Sequence, residues 1–289
     1  MLNSIIKLIR PHQYIKNIFI FMPIFFIGHI TNIELILITT TAFVAFSISA
    51  SAVYIFNDYQ DIDDDRKHPE KKHRPLASGS ITKKFAITLI GVFFIIGISI
   101  MATISFQVVG ILCIYITLNI AYSLYLKHIA ILDVSIIAIC FVLRLFIGSS
   151  ATGTALSMWI IITTFLLALF IALAKRRDDI LFFLNTGKKM RRAIDGYNLQ
   201  LIDGAMMIMA SVVIVTYILY TTSIEVLQRM QSEYLYLTAL FVVLGIMRYL
   251  QISFVENNSG SPTKIVLRDK FMQITILAWT FSFAWIVYL

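Results

Sequence analysis

Within the stretch NDYQDIDDD, residues 57–65, Asn57, Asp61 and Asp65 recur at every fourth position, and Asp58 stands beside the first. On a helix this spacing stacks the side chains on one face, with Asp58 three residues before Asp61 and so next to it. Carboxylates stacked in this way repel one another, and a divalent cation removes that cost. Oxygen donors without histidine or cysteine suit Mg²⁺, with Mn²⁺ as a substitute. Mg²⁺ usually keeps waters and completes its shell with phosphate oxygens. The stretch therefore reads as a Mg²⁺–diphosphate anchor with Asn57, Asp58, Asp61 and Asp65 as metal ligands and the three aspartates as its catalytic members. The plainer alternative is a solvated acidic loop neutralised by its basic neighbours from Arg66 to Arg74. Asp63 and Asp64 fall between the aligned positions and are expected to matter less.

Apolar helices must carry these residues. The chain is 59% hydrophobic and only 14% charged, against about 25% charged in an ordinary soluble domain. That composition makes it an integral membrane protein. Windows of roughly 20 apolar residues fall at 18–36, 36–56, 85–104, 106–125, 131–150, 156–174, 203–222, 233–251 and 271–289. The expected fold is an all-α membrane protein of nine transmembrane helices in one domain, 1–289. The first window keeps Pro23 and has a polar entrance, which sets it apart from a cleavable signal peptide. The two long polar loops begin near Asn57 and Lys175, each after an even-numbered span. This suggests two pseudo-repeated four-helix units plus one helix.

Basic residues orient the bundle. Lys7, Arg10 and Lys16 precede the first window; Arg66, Lys67, Lys71, Lys72, Arg74, Lys83 and Lys84 follow the second; Lys127 follows the fourth. Lys175, Arg176, Arg177, Lys188, Lys189, Arg191 and Arg192 follow the sixth, and Arg248, Lys264, Arg268 and Lys270 flank the last connection. All fall on one side of a nine-span layout, which the positive-inside rule makes cytoplasmic, with the C-terminus outside. The net charge of +8 is accounted for by basic loops beside anionic lipid and calls for no nucleic acid. Cys113 and Cys140 lie in apolar windows without metal-ligand spacing and read as packing residues. Lipid-facing and subunit-facing apolar surfaces look alike, so a homo-oligomer is as compatible with the sequence as a monomer.

With these elements in place, NDYQDIDDD resembles the NDxxDxxxD first motif of the UbiA superfamily of intramembrane prenyltransferases, through Asn57, Asp58, Asp61 and Asp65. The continuation HPEKKHRPLASG, residues 68–79, is similar as well. The resemblance implies nine helices and two cytoplasmic loops over a central cavity. Four further segments resemble the decaprenyl-phosphate phosphoribosyltransferase branch more than the aromatic prenyltransferases. They are RPHQYIKN (10–17), YSLYLKHIAILDVSIIAICFVLRLFIG (122–148), LALFIALAKRRDD (167–179) and GSPTKIVLRDK (260–270). The aromatic branch carries a second carboxylate motif, DxxxD, where this chain reads Lys175-Arg176-Arg177-Asp178-Asp179. Basic residues at a span end bind phosphate oxygens, arginine in a bidentate fork.

The resemblance thus implies Mg²⁺-dependent transfer of 5-phosphoribose from phosphoribosyl pyrophosphate to a polyprenyl phosphate, with release of diphosphate. It also implies a bacterial inner membrane, a cytoplasmic site and a role in making a cell-wall precursor. The alternative is transfer of a prenyl group from a prenyl diphosphate to an aromatic acceptor. A transporter or lipid-binding protein fits less well, because moving a neutral lipid does not require the aspartate face.

The remaining candidates are substrate contacts. Arg144 lies inside the fifth window, where an arginine is costly and usually faces a cavity or a partner. Asp133 opens the same helix eleven residues earlier, roughly 16 Å away along the axis, too far for a direct pair. Lys16 and Asn17 could touch substrate or anchor the interface. Tyr122 and Lys127 sit at a short cytoplasmic turn, with Lys127 assigned to phosphate. Lys67 and Arg74 are further phosphate contacts, with capping of the loop by Arg74-Pro75 the less favoured alternative. His12, His68, His73 and His128 show no zinc spacing and read as loop residues or auxiliary phosphate donors.

Overall fold

A computed structural model describes residues 2–67, 71–187, 192–260 and 262–288. His68, Lys188, Lys189 and Arg191 lie outside the described residues. Contacts group the chain into two compact units, residues 1–127 with 143–155 and residues 128–142 with 156–289. Among the described residues all regular structure is helical. Eight helices among the described residues are long and apolar enough to cross a membrane.

Unit 1 begins with α1 (Leu2–Ile9), and Arg10 then turns the corner with φ 57° and ψ 57°. A left-handed conformation is uncommon for a non-glycine residue and stores local strain. A 3₁₀ segment, Pro11–Phe21, leads into α2 (Met22–Phe26), and a turn through Gly28 (φ 82°) reaches α3 (Ile33–Gln60). Here the structure corrects the expected window 18–36. Both prolines stand at helix starts, Pro11 on the 3₁₀ segment and Pro23 on α2, because proline lacks an N–H and is best tolerated there. Residues 33–36 belong to α3, whose start is fixed by the Asn32 cap: Leu35 N–H donates to Asn32 Oδ1 at 3.2 Å.

The 3₁₀ segment is keyed to α3 by geometry. Three residues of 3₁₀ helix rise about 6 Å, as do four residues of α-helix. Tyr14 and Asn17 therefore meet Ser51 and Ser47 in register, with Tyr14 Oη and Ser51 Oγ 2.8 Å apart and Asn17 Nδ2 donating to Ser47 Oγ at 2.9 Å. After α3, the short α4 (Ile62–Lys67) carries the chain out; α5 (Lys83–Ala102) and α6 (Phe106–Leu124) follow. Small residues let α5 lie close to α3: a Cβ on Gly97 would fall 2.0 Å from Ser49 Oγ and 3.0 Å from Ala45 O. Close approach through small side chains is a common membrane-helix device. The later part of α7 (Leu132–Thr152) completes the unit.

Unit 2 takes the start of α7, then α8 (Met158–Thr186), α9 (Leu199–Thr222), α10 (Ile224–Met230), α11 (Ala239–Phe254), α12 (Pro262–Arg268) and α13 (Lys270–Tyr288). Gly187, at φ 69°, ends α8 and returns its N–H to Phe183 O, a conformation that glycine adopts at little cost. The core includes Phe170, Ile202, Met206, Tyr249 and Met272.

Helix length decides where the polar residues emerge. At 28 and 29 residues, α3 and α8 run about 42 Å, against roughly 30 Å of bilayer hydrocarbon. Asn57 and Asp58 ride on the last turn of α3, and Lys175 to Asp179 ride on the later turns of α8.

Candidate active site

The α-helix of α3 ends at Gln60, and Asp61 is its C-cap, so the aspartates do not lie on one unbroken helix as their spacing suggests. The four-residue hydrogen bonds nevertheless continue: Asp61 N–H donates to Asn57 O at 3.0 Å and Asp65 N–H to Asp61 O at 2.8 Å. That ladder preserves the stacking across the kink. Asp58 and Asp65 are 2% and 3% exposed, while Asp63 and Asp64 face outward.

Three cations meet the three aligned carboxylates. Arg10 Nη2 donates to Asp58 Oδ1 at 2.5 Å. Arg74 Nη1 bridges Asp58 Oδ1 at 2.9 Å and Asp65 Oδ2 at 2.7 Å. Lys127 Nζ reaches Asp61 Oδ1 at 2.5 Å, and Asn57 Nδ2 donates to Asp61 Oδ2 at 3.1 Å. Asn57 is oriented in turn by Ser123, whose hydroxyl donates to Asn57 Oδ1 at 3.2 Å. Burial pushes the Asp65 carboxyl above the usual aspartate range, with the Arg74 charge and hydrogen bond opposing it. Sequence spacing missed Arg10 and Ser123. Arg10 is separated from Asp58 by 48 residues, and the only local signal is the Arg-Pro junction that turns the chain.

Among the described residues, no three His, Cys, Asp or Glu side chains converge as a ready metal site. The donor set still fits a hard divalent cation on one specific count. Asp58 Oδ2 is buried without a hydrogen-bond partner, and a buried carboxylate oxygen left unmatched is costly. Asn57, Asp58, Asp61 and Asp65 supply oxygen ligands, as Mg²⁺ prefers.

Deeper in unit 1, Arg144 is 3% exposed. Its Nε donates to Asn17 Oδ1 at 3.0 Å, and its guanidinium carbon lies 4.9 Å and 5.2 Å from the ring centroids of Phe46 and Tyr115. Lys16 precedes Asn17 and is half-buried. The structure thus joins Arg144 to Asn17, which the sequence had grouped with Lys16 and not with Arg144. Tyr122 is half-buried on the last turns of α6, and Lys67 is exposed at the end of α4.

In unit 2, Asp133 meets Arg176. Arg176 Nε donates to Asp133 Oδ2 at 2.5 Å and its Nη1 to Asp179 Oδ2 at 2.8 Å. Tyr197 Oη donates to Asp133 Oδ1 at 2.6 Å while accepting from Ile131 N–H at 2.7 Å. Arg177 Nε donates to Asp203 Oδ1 at 2.8 Å, and its Nη1 donates to Ser253 O at 2.6 Å and Asn257 Oδ1 at 2.7 Å. Asp178 accepts from Ser259 N–H and Oγ. Arg176 and Arg177 are both buried and Lys175 is half-buried. The two arginines thus bind protein carboxylates at the positions where the sequence suggested phosphate contacts. Asp133, Asp203 and Asn257 lie 26 to 80 residues from their arginine partners in the chain, beyond any local motif.

Residues 18–286 match the UbiA prenyltransferase family. The chain is similar to the decaprenyl-phosphate phosphoribosyltransferase of Corynebacterium glutamicum, at 29% identity over 99% of this chain and 87% of the relative. It is similar to the enzyme of the same name from Mycolicibacterium smegmatis at 28% identity, over 96% of this chain and 91% of the relative. In fold it is similar to a UbiA homolog from Archaeoglobus fulgidus whose structure holds GPP and Mg²⁺, with a TM-score of 0.71, 18% identity, and coverage of 97% of this chain and 99% of that one.

Proposed function

The chain belongs to the UbiA prenyltransferase family, and from that premise we propose that it transfers 5-phosphoribose from phosphoribosyl pyrophosphate to a polyprenyl phosphate, releasing diphosphate. The observation that carries this reading is the set of buried carboxylates Asp58 and Asp65, bridged by Arg74 and faced by Arg10 and Lys127. Such a set can hold a metal–diphosphate and meet its charge from both signs. The names of two relatives that align over nearly the whole chain support the choice of donor and acceptor.

In the proposed reaction the C1–O bond to diphosphate breaks, and its electron pair leaves with the diphosphate. An oxygen of the lipid phosphate donates an electron pair to C1. The sugar carbon passes through oxocarbenium-like character, as in glycoside cleavage. The acceptor is already anionic, so no side chain must remove a proton. Asn57, Asp58, Asp61 and Asp65 would hold Mg²⁺, which supplies charge stabilisation at the leaving oxygens. Arg10, Arg74 and Lys127 are the cations placed to meet the remaining charge of the diphosphate. Asn57 is held for its role by Ser123.

Nine crossings are part of the same proposal. The 3₁₀ segment and α2 together rise about 30 Å, enough for hydrocarbon thickness, although neither is long enough alone. Nine crossings place the basic loops and the carboxylates on the cytoplasmic face of a bacterial inner membrane, with the C-terminus outside. The test is diphosphate release from phosphoribosyl pyrophosphate by purified protein. Release is expected only with both polyprenyl phosphate and Mg²⁺ or Mn²⁺ present; release that persists undiminished in chelator contradicts the proposal.

A further inference from the structure

The carboxylate end poses a problem of access. Asp58 is 2% exposed and its Oδ2 is buried. Its Oδ1 accepts from two guanidinium groups at once, Arg10 Nη2 at 2.5 Å and Arg74 Nη1 at 2.9 Å. Among the described residues, no three acidic side chains converge on one point as they are placed. A metal held jointly by Asp58, Asp61 and Asp65 therefore needs a cation to give way. Two positive charges compete for the same electron pairs, and their repulsion grows as water is excluded.

The two arginines are not equally placed to yield. Arg74 Nη1 also reaches Asp65 Oδ2 at 2.7 Å, so two carboxylates hold it. Arg10 meets Asp58 through one nitrogen and one oxygen and leaves Oδ2 unmatched, a weaker arrangement than the two-point fork. The backbone around Arg10 is held. Arg10 N–H donates to Ile6 O at 3.1 Å, Ser51 Oγ donates to Ile9 O at 3.0 Å, and Leu8 is buried in a cluster with Ile55, Ile62 and Leu76. The left-handed corner thus aims the side chain at Asp58 from a fixed point. Movement is left to the side chain, which is 20% exposed.

We propose that Arg10 is an electrostatic gate on Asp58, which holds the carboxylate against a lone divalent cation and yields it when the cation arrives with diphosphate. The freed guanidinium then closes on the diphosphate, whose oxygens match its planar fork with two donors. A metal by itself must displace Arg10 with nothing to receive its charge. With diphosphate present, that charge has a partner. The inference rests on the metal–diphosphate reading of this site and adds an order to it: metal and diphosphate bind together and not in turn.

The test is equilibrium binding to the purified full-length protein, followed by electron paramagnetic resonance, with Mn²⁺ alone and the Mn²⁺–pyrophosphate complex as separate probes. Arg10→Met should tighten Mn²⁺ alone by about tenfold and weaken the Mn²⁺–pyrophosphate complex by about tenfold or more. Loss of packing would weaken both, so the opposite signs are diagnostic. Arg10→Lys keeps the charge without the fork and should fall between the wild type and Arg10→Met on both probes, which keeps the test readable if Arg10→Met does not fold. Lys7→Met, at an exposed lysine on α1, should change neither. In an Asp58→Asn background, Arg10→Met should no longer tighten Mn²⁺, because the contact it relieves is already gone. If Mn²⁺ alone binds the arginine variants no more tightly than the wild type, or the pyrophosphate complex binds them as tightly, the gate is overturned while the metal reading stands. If neither probe binds the wild type, both are overturned.

Discussion

Asp58 sits where three demands meet. It is buried, it is shared by Arg10 and Arg74 through one oxygen, and its other oxygen is unmatched. If Asp58 holds the metal as proposed, removing it should cost several kcal/mol of charge stabilisation. Asp58→Asn, Asp61→Asn and Asp65→Asn are therefore expected to lower turnover by about a hundredfold or more, with Mn²⁺ affinity falling in parallel. Asp63→Asn and Asp64→Asn, on exposed positions, should retain most activity, as measured by initial rates at saturating substrates. The sequence made this contrast visible because a period of four survives the kink at Asp61. It could not show which cations answer the carboxylates, since Arg10 and Lys127 come from distant parts of the chain and arrive only through helix packing.

At the scale of the elements, the end of α8 is held by buried ion pairs. Breaking one by removing a single partner typically costs about 3–5 kcal/mol, because a charge is left stranded. Arg176→Met and Asp133→Asn should each lower the thermal midpoint in detergent, and the double variant should recover part of the loss. If Arg176→Met instead leaves stability intact and raises only the KM for a phosphate substrate, the arginine serves as a phosphate contact. Packing in unit 1 gives a second test. A Cβ at Gly148 would lie 2.0 Å from Ile20 O, so Gly148→Ala should destabilise by about 1–3 kcal/mol, read from the same melting curves. Windows of hydropathy located most helices because long apolar runs leave few alternatives. They misplaced the first because hydropathy is blind to the missing N–H of Pro11 and Pro23, and to the greater rise of a 3₁₀ run. The basic run at 175–177 was legible as charge, but its partners Asp133 and Asp203 were not, since those pairs form only in the folded unit.

For the whole molecule, orientation follows from the count of crossings. With nine, a cysteine added after Leu289 in a Cys113→Ala, Cys140→Ala background should react with a membrane-impermeant maleimide in intact cells. Protection until the membrane is breached would return the count to eight. The central claim concerns which bond the protein makes. The measurement that tests it most directly offers purified protein two donors at once, ribose-labelled phosphoribosyl pyrophosphate and a prenyl diphosphate. Polyprenyl phosphate, an aromatic acid and Mg²⁺ are present, and the lipid products are identified by mass spectrometry. The account predicts labelled polyprenyl-phosphoryl-phosphoribose, formed by the wild type and absent with Asp61→Asn. A prenylated aromatic product, with no ribose in the lipid fraction, would contradict it.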